Sequence, residues 1–214
     1  MTNDNYYELF RPEIFQLVPG NTRNFLDIGC GFGSLGSQVR ESYGSRTIGI
    51  EFNSEATIFL NERLDKHFIA DIETFDFSQL DMDFDCIVLA DILEHLVDPW
   101  KTLSNVKSHL ADTGVMIVSI PNIRNLNVIG ALILKGVWSY QDSGILDRTH
   151  LRFFTKQTMI SMFEDLDLEV VEQARNIDQY KFPRNIFSFI PNSIIPDLRV
   201  SQFIFVLKSR TLSS

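Results

Sequence analysis

Cysteine is scarce in this chain. There are two in 214 residues, Cys30 in a glycine-rich turn and Cys86 in an apolar run, with no paired spacing. Neither a disulfide framework nor a cysteine-based zinc site is suggested, and a reducing cytoplasmic setting fits best. Positive charge is also short: 19 Lys and Arg stand against 28 Asp and Glu, for a net charge of −9. That argues against nucleic acid as the main partner, because phosphate backbones are held by Lys and Arg. No apolar run reaches the roughly 20 residues that span a bilayer. The opening Met1-Thr2-Asn3-Asp4-Asn5 is polar and lacks the apolar core of a secretion signal. No internal repeat or low-complexity tract is visible.

What is abundant is glycine in one place. A short apolar strand through Phe25, Leu26 and Ile28 breaks into Asp27-x-Gly29-x-Gly31-x-Gly33, with Cys30 and Phe32 interleaved, and a helical stretch follows over 34–42. Glycine serves where backbone needs positive φ or must lie against a ligand. The helix start beyond it offers unpaired N–H groups. Such a turn receives a polar or anionic small molecule at a sheet edge. Gly31-x-Gly33-x-x-Gly36 also spells a nucleotide fingerprint, which alone is weak. Asp27 narrows the choice, since a carboxylate beside a diphosphate repels it and suits a cationic ligand.

The acids recur. Thr47–Glu51 reads as a second strand ending in Glu51, followed by Phe52; His67–Ala70 as a third, closed by Asp71-Ile72; Phe84–Ala90 as a fourth, closed by Asp91-Ile92. In open α/β sheets, ligands bind beyond the carboxyl ends of the strands. Four strand ends in series that finish in acids describe one ligand lying across that edge. Phe84–Ala90 is the most apolar run and fits a strand buried on both faces of a parallel sheet.

The Asp27 to Gly33 pattern resembles motif I of the class I S-adenosylmethionine (SAM)-dependent methyltransferases. SAM carries an ammonium and a sulfonium but no phosphate. The resemblance implies a Rossmann-like, doubly wound α/β fold: seven strands, the last antiparallel, with helices on both faces, an N-terminal helix and a lid insertion. It implies a methionine part near Asp27, Gly29, Cys30, Gly31 and Gly33, a ribose at Glu51 and Phe52, an adenine at Asp71 and Ile72, and a sulfonium above Asp91 and Ile92. Related enzymes place an N-terminal helix over the cofactor, which makes Tyr7 and Arg11, in the helical reading of 6–18, candidates for the methionine carboxylate.

The remaining pattern is expected to form one domain over 1–214. The helix of 1–20 caps it, and segments 123–153 and 180–200 cover the substrate side. Residues 54–64 read as a helix capped by Ser54, residues 99–110 as another, 114–120 as strand five, Val128–Trp138 as a short helix, 156–166 as a helix capped by Thr155, and Leu168–Val171 and Gln202–Leu207 as the last strands. The 123–153 excursion is too long for an ordinary connection, and such loops are often functional.

Within it, Gly144-Ile-Leu-Asp-Arg-Thr-His-Leu-Arg-Phe-Phe154 resembles a stretch found in bacterial methyltransferases of polysaccharide and glycoconjugate synthesis. It makes His150 the candidate general base for a hydroxyl acceptor. The same segment also reads as a loop clamp with Asp147 and Arg148 as an ion pair. Asp91-x-x-Glu94-His95 resembles a turn in the ubiquinone-pathway O-methyltransferases, some of which bind a divalent metal there. Here the first position is Asp and the ligand set is thin, so no metal is assigned and Glu94 is read as part of a solvated turn.

The function expected is O-methylation of a sugar, glycan precursor or other small molecule, without nucleic acid and without stable membrane insertion. The alternatives are a quinone-type phenol O-methyltransferase with a lipid-like acceptor, a non-catalytic SAM-binding protein, and an NAD-dependent oxidoreductase. Asp27 and the lack of a Tyr-x-x-x-Lys set disfavour the last.

Overall fold

Alternation along the strands sets the two faces of a single sheet. The computed structural model describes residues 11–177 and 197–210. Its central strands are β1 (Asn24–Ile28), β2 (Arg46–Glu51), β3 (Lys66–Ile69), β4 (Phe84–Ala90) and β5 (Leu110–Pro121), all parallel. Leu26, Ile28, Ile87, Leu89, Met116 and Val118 point to one face. Phe25, Cys86, Val88, Val115 and Ile117 point to the other. This two-residue period is a property of the pleat, and burial on both faces explains why these strands read as nearly unbroken apolar runs.

Helices cover both faces. The first core packs Leu103 and Val106 of α4 (Pro99–Lys107) and Met159, Met162 and Phe163 of α6 (Lys156–Glu164). The second packs Ile14 of α1 (Pro12–Phe15) and Leu35 and Val39 of α2 (Ser34–Tyr43). A third, smaller cluster seats Leu60 of α3 (Thr57–Arg63) and Leu64 against Cys30 and Phe32 of the glycine turn. Burial of a Leu or Phe side chain is worth about 1.5–3 kcal/mol, so these faces fix the helices.

With β6 over Leu168–Ile177 and β7 over Val200–Ser209, the strand order is β3-β2-β1-β4-β5-β7-β6. The chain begins at the middle, steps outward to β3, then returns across β1 to β4. That reversal opens a crevice between the ends of β1 and β4, where ligands bind in such sheets. β7 (Val200–Ser209) runs antiparallel to both β5 and β6 (Leu168–Ile177). Its first residues therefore lie at the edge where the parallel strands end, and Gln202 sits opposite Pro121.

The expected seven strands with an antiparallel last strand are present. Several boundaries differ from the sequence reading. Of the expected 6–18 helix, the described part is helical over Pro12–Phe15, and residues 1–10, with Tyr7, lie outside the described residues. The 54–64 segment splits into a 3-10 turn over Ser54–Ala56 and α3, and Asn53 rather than Ser54 caps it by accepting the Glu55 N–H. Most of 180–200 also lies outside the described residues.

The insertion leaves and re-enters at one point. Asn122 and Phe154 form a bridge, and the Ile123 N–H donates to the Phe154 carbonyl. Between them α5 (Leu126–Lys135) starts from an Asn125 side-chain cap. No helix among the described residues is long and apolar enough to cross a membrane.

Candidate active site

The glycine turn is fastened to the end of β2. Gly29 N–H donates to the Ile50 carbonyl at 2.8 Å. Gly31 N–H donates to Glu51 Oε2, and Asn53 N–H to Oε1, both at 2.8 Å. Gly29, Gly31 and Gly33 have φ of 69°, 55° and 79°, the left-handed region that glycine enters without penalty. A Cβ on Gly29 would come within 2.0 Å of Ile92 Cδ1, so close approach demands glycine there as well.

Asp27 is buried beneath this turn at 4% exposure. Burial pushes its carboxyl up to about 7; Glu51 adds to the rise and Arg11 opposes it. Burial also raises Glu51, against the amides of Asn53, Gly31 and Phe52. Cys30 is buried, and burial with the nearby Asp27 and Glu51 holds its thiol well above the usual range, so it is a wall and not a nucleophile.

Asp91 follows β4 with φ of 58°, a strained setting for a side-chain-bearing residue. Its Oδ2 accepts from Arg11 Nη1 at 2.8 Å. Its Oδ1 accepts from the Ser119 hydroxyl at 2.9 Å and from the Gln202 amide. Asn176 in turn donates to Gln202 Oε1 at 2.6 Å. Arg11 is shared with Glu13 at 2.6 Å.

The structure thus gathers Asp27, Gly29, Gly31, Gly33, Cys30, Glu51, Asp91, Ile92 and Arg11 about one crevice. The other cofactor candidates lie further along the edge. Asp71 is exposed, two residues past β3, and turns back to accept the Glu73 N–H. Ile72 is buried in the first core. Phe52 is 76% exposed. The open depression lined by Arg40, Gly44, Ser45, Arg46 and Asp65 is at the opposite, N-terminal end of β2.

A second group of side chains stands one turn beyond Asp91. Glu94 lies in the 3-10 turn Leu93–His95 and is 1% exposed, which overturns its reading as a solvated residue. Among the described residues neither carboxylate oxygen has a hydrogen-bond partner. Burial holds its carboxyl well above the usual range, and Asp91 adds to that. His95 and His150 meet edge to face, with ring centroids 4.7 Å apart. Burial lowers the His95 pKa, and His150 adds to the effect. His150 is itself buried, at 8% exposure.

The loop is clamped to this turn, since the N–H groups of Leu151 and Arg152 both donate to the Glu94 carbonyl. The expected Asp147–Arg148 pair is absent. Arg148 reaches Asp142 at 2.6 Å, while Asp147 accepts from the Thr149 hydroxyl and amide. The difference arises because a short Asp side chain satisfies N–H groups two residues on more readily than it reaches a neighbouring Arg.

Sequence reasoning missed Ser119 and Gln202 as partners of Asp91 and missed the burial of Glu94. Ser119 had a signal, being a polar residue inside an apolar strand. Gln202 had none, since only the antiparallel course of β7 brings it to this edge.

The cradle fits a cationic, phosphate-free ligand. Burial raises both carboxyls and Glu51 raises Asp27 further, so a positive charge relieves the strain where a diphosphate would worsen it. Fold and site define a class I SAM-dependent methyltransferase. The chain belongs to the methyltransferase domain family, whose model matches residues 4–173.

Solved structures share the fold. A SAM-dependent methyltransferase from Archaeoglobus fulgidus superposes with a TM-score of 0.63 at 18% identity, covering 96% of this chain and 94% of that one. The N-methyltransferase NodS from Bradyrhizobium japonicum, in complex with S-adenosyl-L-homocysteine, gives 0.62 at 17%, covering 98% and 90%. One from Clostridium acetobutylicum gives 0.62 at 13%, covering 97% and 95%. No curated protein sequence matches the chain. The enzyme's cofactor is SAM.

Proposed function

We propose that this enzyme methylates an oxygen of a small hydroxyl-bearing acceptor, such as a sugar or glycan precursor, presented against the 123–153 insertion. The observation that carries this reading is the contact between the half-buried His95, one turn beyond Asp91, and the buried His150. When bound, SAM supplies a methyl group on a sulfonium that is already a good leaving group. The protein's tasks are then to orient the acceptor, exclude water and ease removal of its proton. Orientation alone can supply about 7–11 kcal/mol in favourable cases.

We propose the following roles. Asp27 and the Gly29, Cys30, Gly31 and Gly33 turn hold the methionine end, with Arg11 and Tyr7 as partners for its carboxylate. Glu51 and Phe52 serve the ribose, Asp71 and Ile72 the adenine, and Asp91 with Ile92 the sulfonium. His150 serves acceptor activation. The chain acts as one domain, with 123–153 covering the acceptor.

A second reading, transfer to a lipid-like phenol, is favoured by α5. It exposes Leu132, Ile133 and Leu134 beside Trp138 and Tyr140. The test is transfer of labelled methyl from SAM into fractionated cell extracts, followed by analysis of the methylated product. A methyl ether on a polar acceptor is expected. A methyl ether on a lipid-extractable phenol establishes the second reading, and a methylamine or methyl-carbon product overturns both.

A further inference from the structure

A carboxylate withdrawn from water without a hydrogen-bond partner is costly, and in native proteins it calls for an explanation. Glu94 is such a group: 1% exposed, with both oxygens unpartnered among the described residues. One ligand-capable atom from each of Glu94, His95 and His150 lies within 4.8 Å of the others. The three come from two separate segments, the turn after β4 and the end of the insertion. They are pinned together by the Leu151 and Arg152 amides on the Glu94 carbonyl.

Each imidazole is held through its Nδ1 by the insertion. His150 Nδ1 lies 3.0 Å from the Ile145 carbonyl. His95 Nδ1 lies 3.3 Å from the Thr149 carbonyl and 3.2 Å from its hydroxyl. A carbonyl partner on Nδ1 requires the proton there, which leaves the Nε2 lone pair for a cation. This is the usual outer-shell arrangement of metal-binding histidines. Asp91, by contrast, is spent: Arg11, Ser119 and Gln202 occupy its oxygens.

We propose that Glu94, His95 and His150 form a binding site for a divalent first-row transition cation in the acceptor half of the crevice. Two imidazoles and one carboxylate suit Zn²⁺, Fe²⁺ or Mn²⁺, while Mg²⁺ and Ca²⁺ prefer all-oxygen sets. Three protein ligands leave positions open, as catalytic metal sites do. The inference deepens the proposed transfer to oxygen and rests on it for its purpose. Transfer to a hydroxyl forms one C–O bond, breaks one C–S bond and releases one proton to solvent, and a cation here lowers the cost of that proton's departure. His150 then acts as a ligand and not as the proton acceptor.

The test needs no acceptor. Chelator-stripped protein is titrated with Co²⁺, followed by visible absorption, and with Zn²⁺, followed by calorimetry. SAM binding is measured in the same samples. One equivalent of each metal is expected. Glu94→Gln and His150→Asn should each weaken binding by about 100-fold or more, beyond what loss of an outer-shell partner costs. Glu94→Gln preserves shape, so a wild-type melting temperature with lost metal response separates ligand loss from misfolding. No stoichiometric binding by wild type that still binds SAM overturns the site. So does binding that both substitutions leave unchanged. A nitrogen-methylated product would instead sink the oxygen-transfer reading while leaving the titration to stand.

Discussion

The two halves of the crevice handle buried carboxylates in opposite ways. In the cofactor half, Glu51 spends both oxygens on backbone amides of Gly31 and Asn53, and Asp91 spends both on Arg11, Ser119 and Gln202. In the acceptor half, Glu94 is buried more deeply than either, and among the described residues its carboxylate oxygens have no hydrogen-bond partner. In the first half Glu51 and Asp91 are fixed in place before a ligand arrives. The second has ligand atoms in place and leaves their satisfaction to something brought in. Preorganised charge is what favours binding a reactant in one pose. An unsatisfied group trades stability for an interaction made later.

The largest effect should come from breaking the finished half at Gly29. Gly29→Ala forces a side chain into φ of 69° and drives it onto Ile92 Cδ1. The backbone strain alone is about 1–2 kcal/mol, which for this size corresponds to a melting temperature lower by roughly 2–8 °C. SAM binding, read by calorimetry, should be lost. Ile92→Val removes the Cδ1 atom in the way, so the double variant should recover part of the stability loss but not the backbone share. Strict additivity of the two changes would show that the approach of Gly29 to Ile92 is not what the glycine serves.

Asp27 tests whether the frame is tuned to positive charge. Its folded pKa, about 7, is above the ordinary value of 3.8. Between those values the folded chain keeps a proton that the unfolded chain has lost. Stability from this residue is therefore full below about pH 4 and falls as pH rises toward 7. Asp27→Asn should flatten that decline in a melting-temperature profile and raise stability at pH 7. It should weaken SAM by at least about 10-fold, since the cation loses its carboxylate. In wild type, SAM affinity should rise as pH rises through 7, with proton release on binding. An unchanged affinity in Asp27→Asn would remove Asp27 from the cofactor's partners.

These two halves also differ in how far they were legible from sequence. The glycine turn and the strand ends of β1, β2 and β4 are each specified by local rules of glycine, pleat and burial. The acceptor half depends on contacts between distant segments. His95 meets Thr149 across 54 positions, and the Leu151 and Arg152 amides come back to the Glu94 carbonyl. Periodicity carries no information at that range. Glu94 was misread because an acid in a polar turn is usually solvated. Only the returning insertion, held by Leu151 and Arg152, removes it from water.

The smallest effect concerns the insertion's own ion pair. Arg148 and Asp142 are 64% and 88% exposed at the side chain, and such pairs contribute about 0–1 kcal/mol. Asp147 instead holds the Thr149 hydroxyl at 2.6 Å and its amide at 2.8 Å, and that hydroxyl touches His95 Nδ1 at 3.2 Å. Arg148→Ala should leave both melting temperature and turnover near wild type. Asp147→Ala should cost about 1–2 kcal/mol through lost hydrogen bonds to a charged acceptor and should raise KM for the acceptor more than KM for SAM. Equal effects of the two substitutions would mean that surface charge, and not the Asp147–Thr149–His95 chain, sets the shape of the acceptor half.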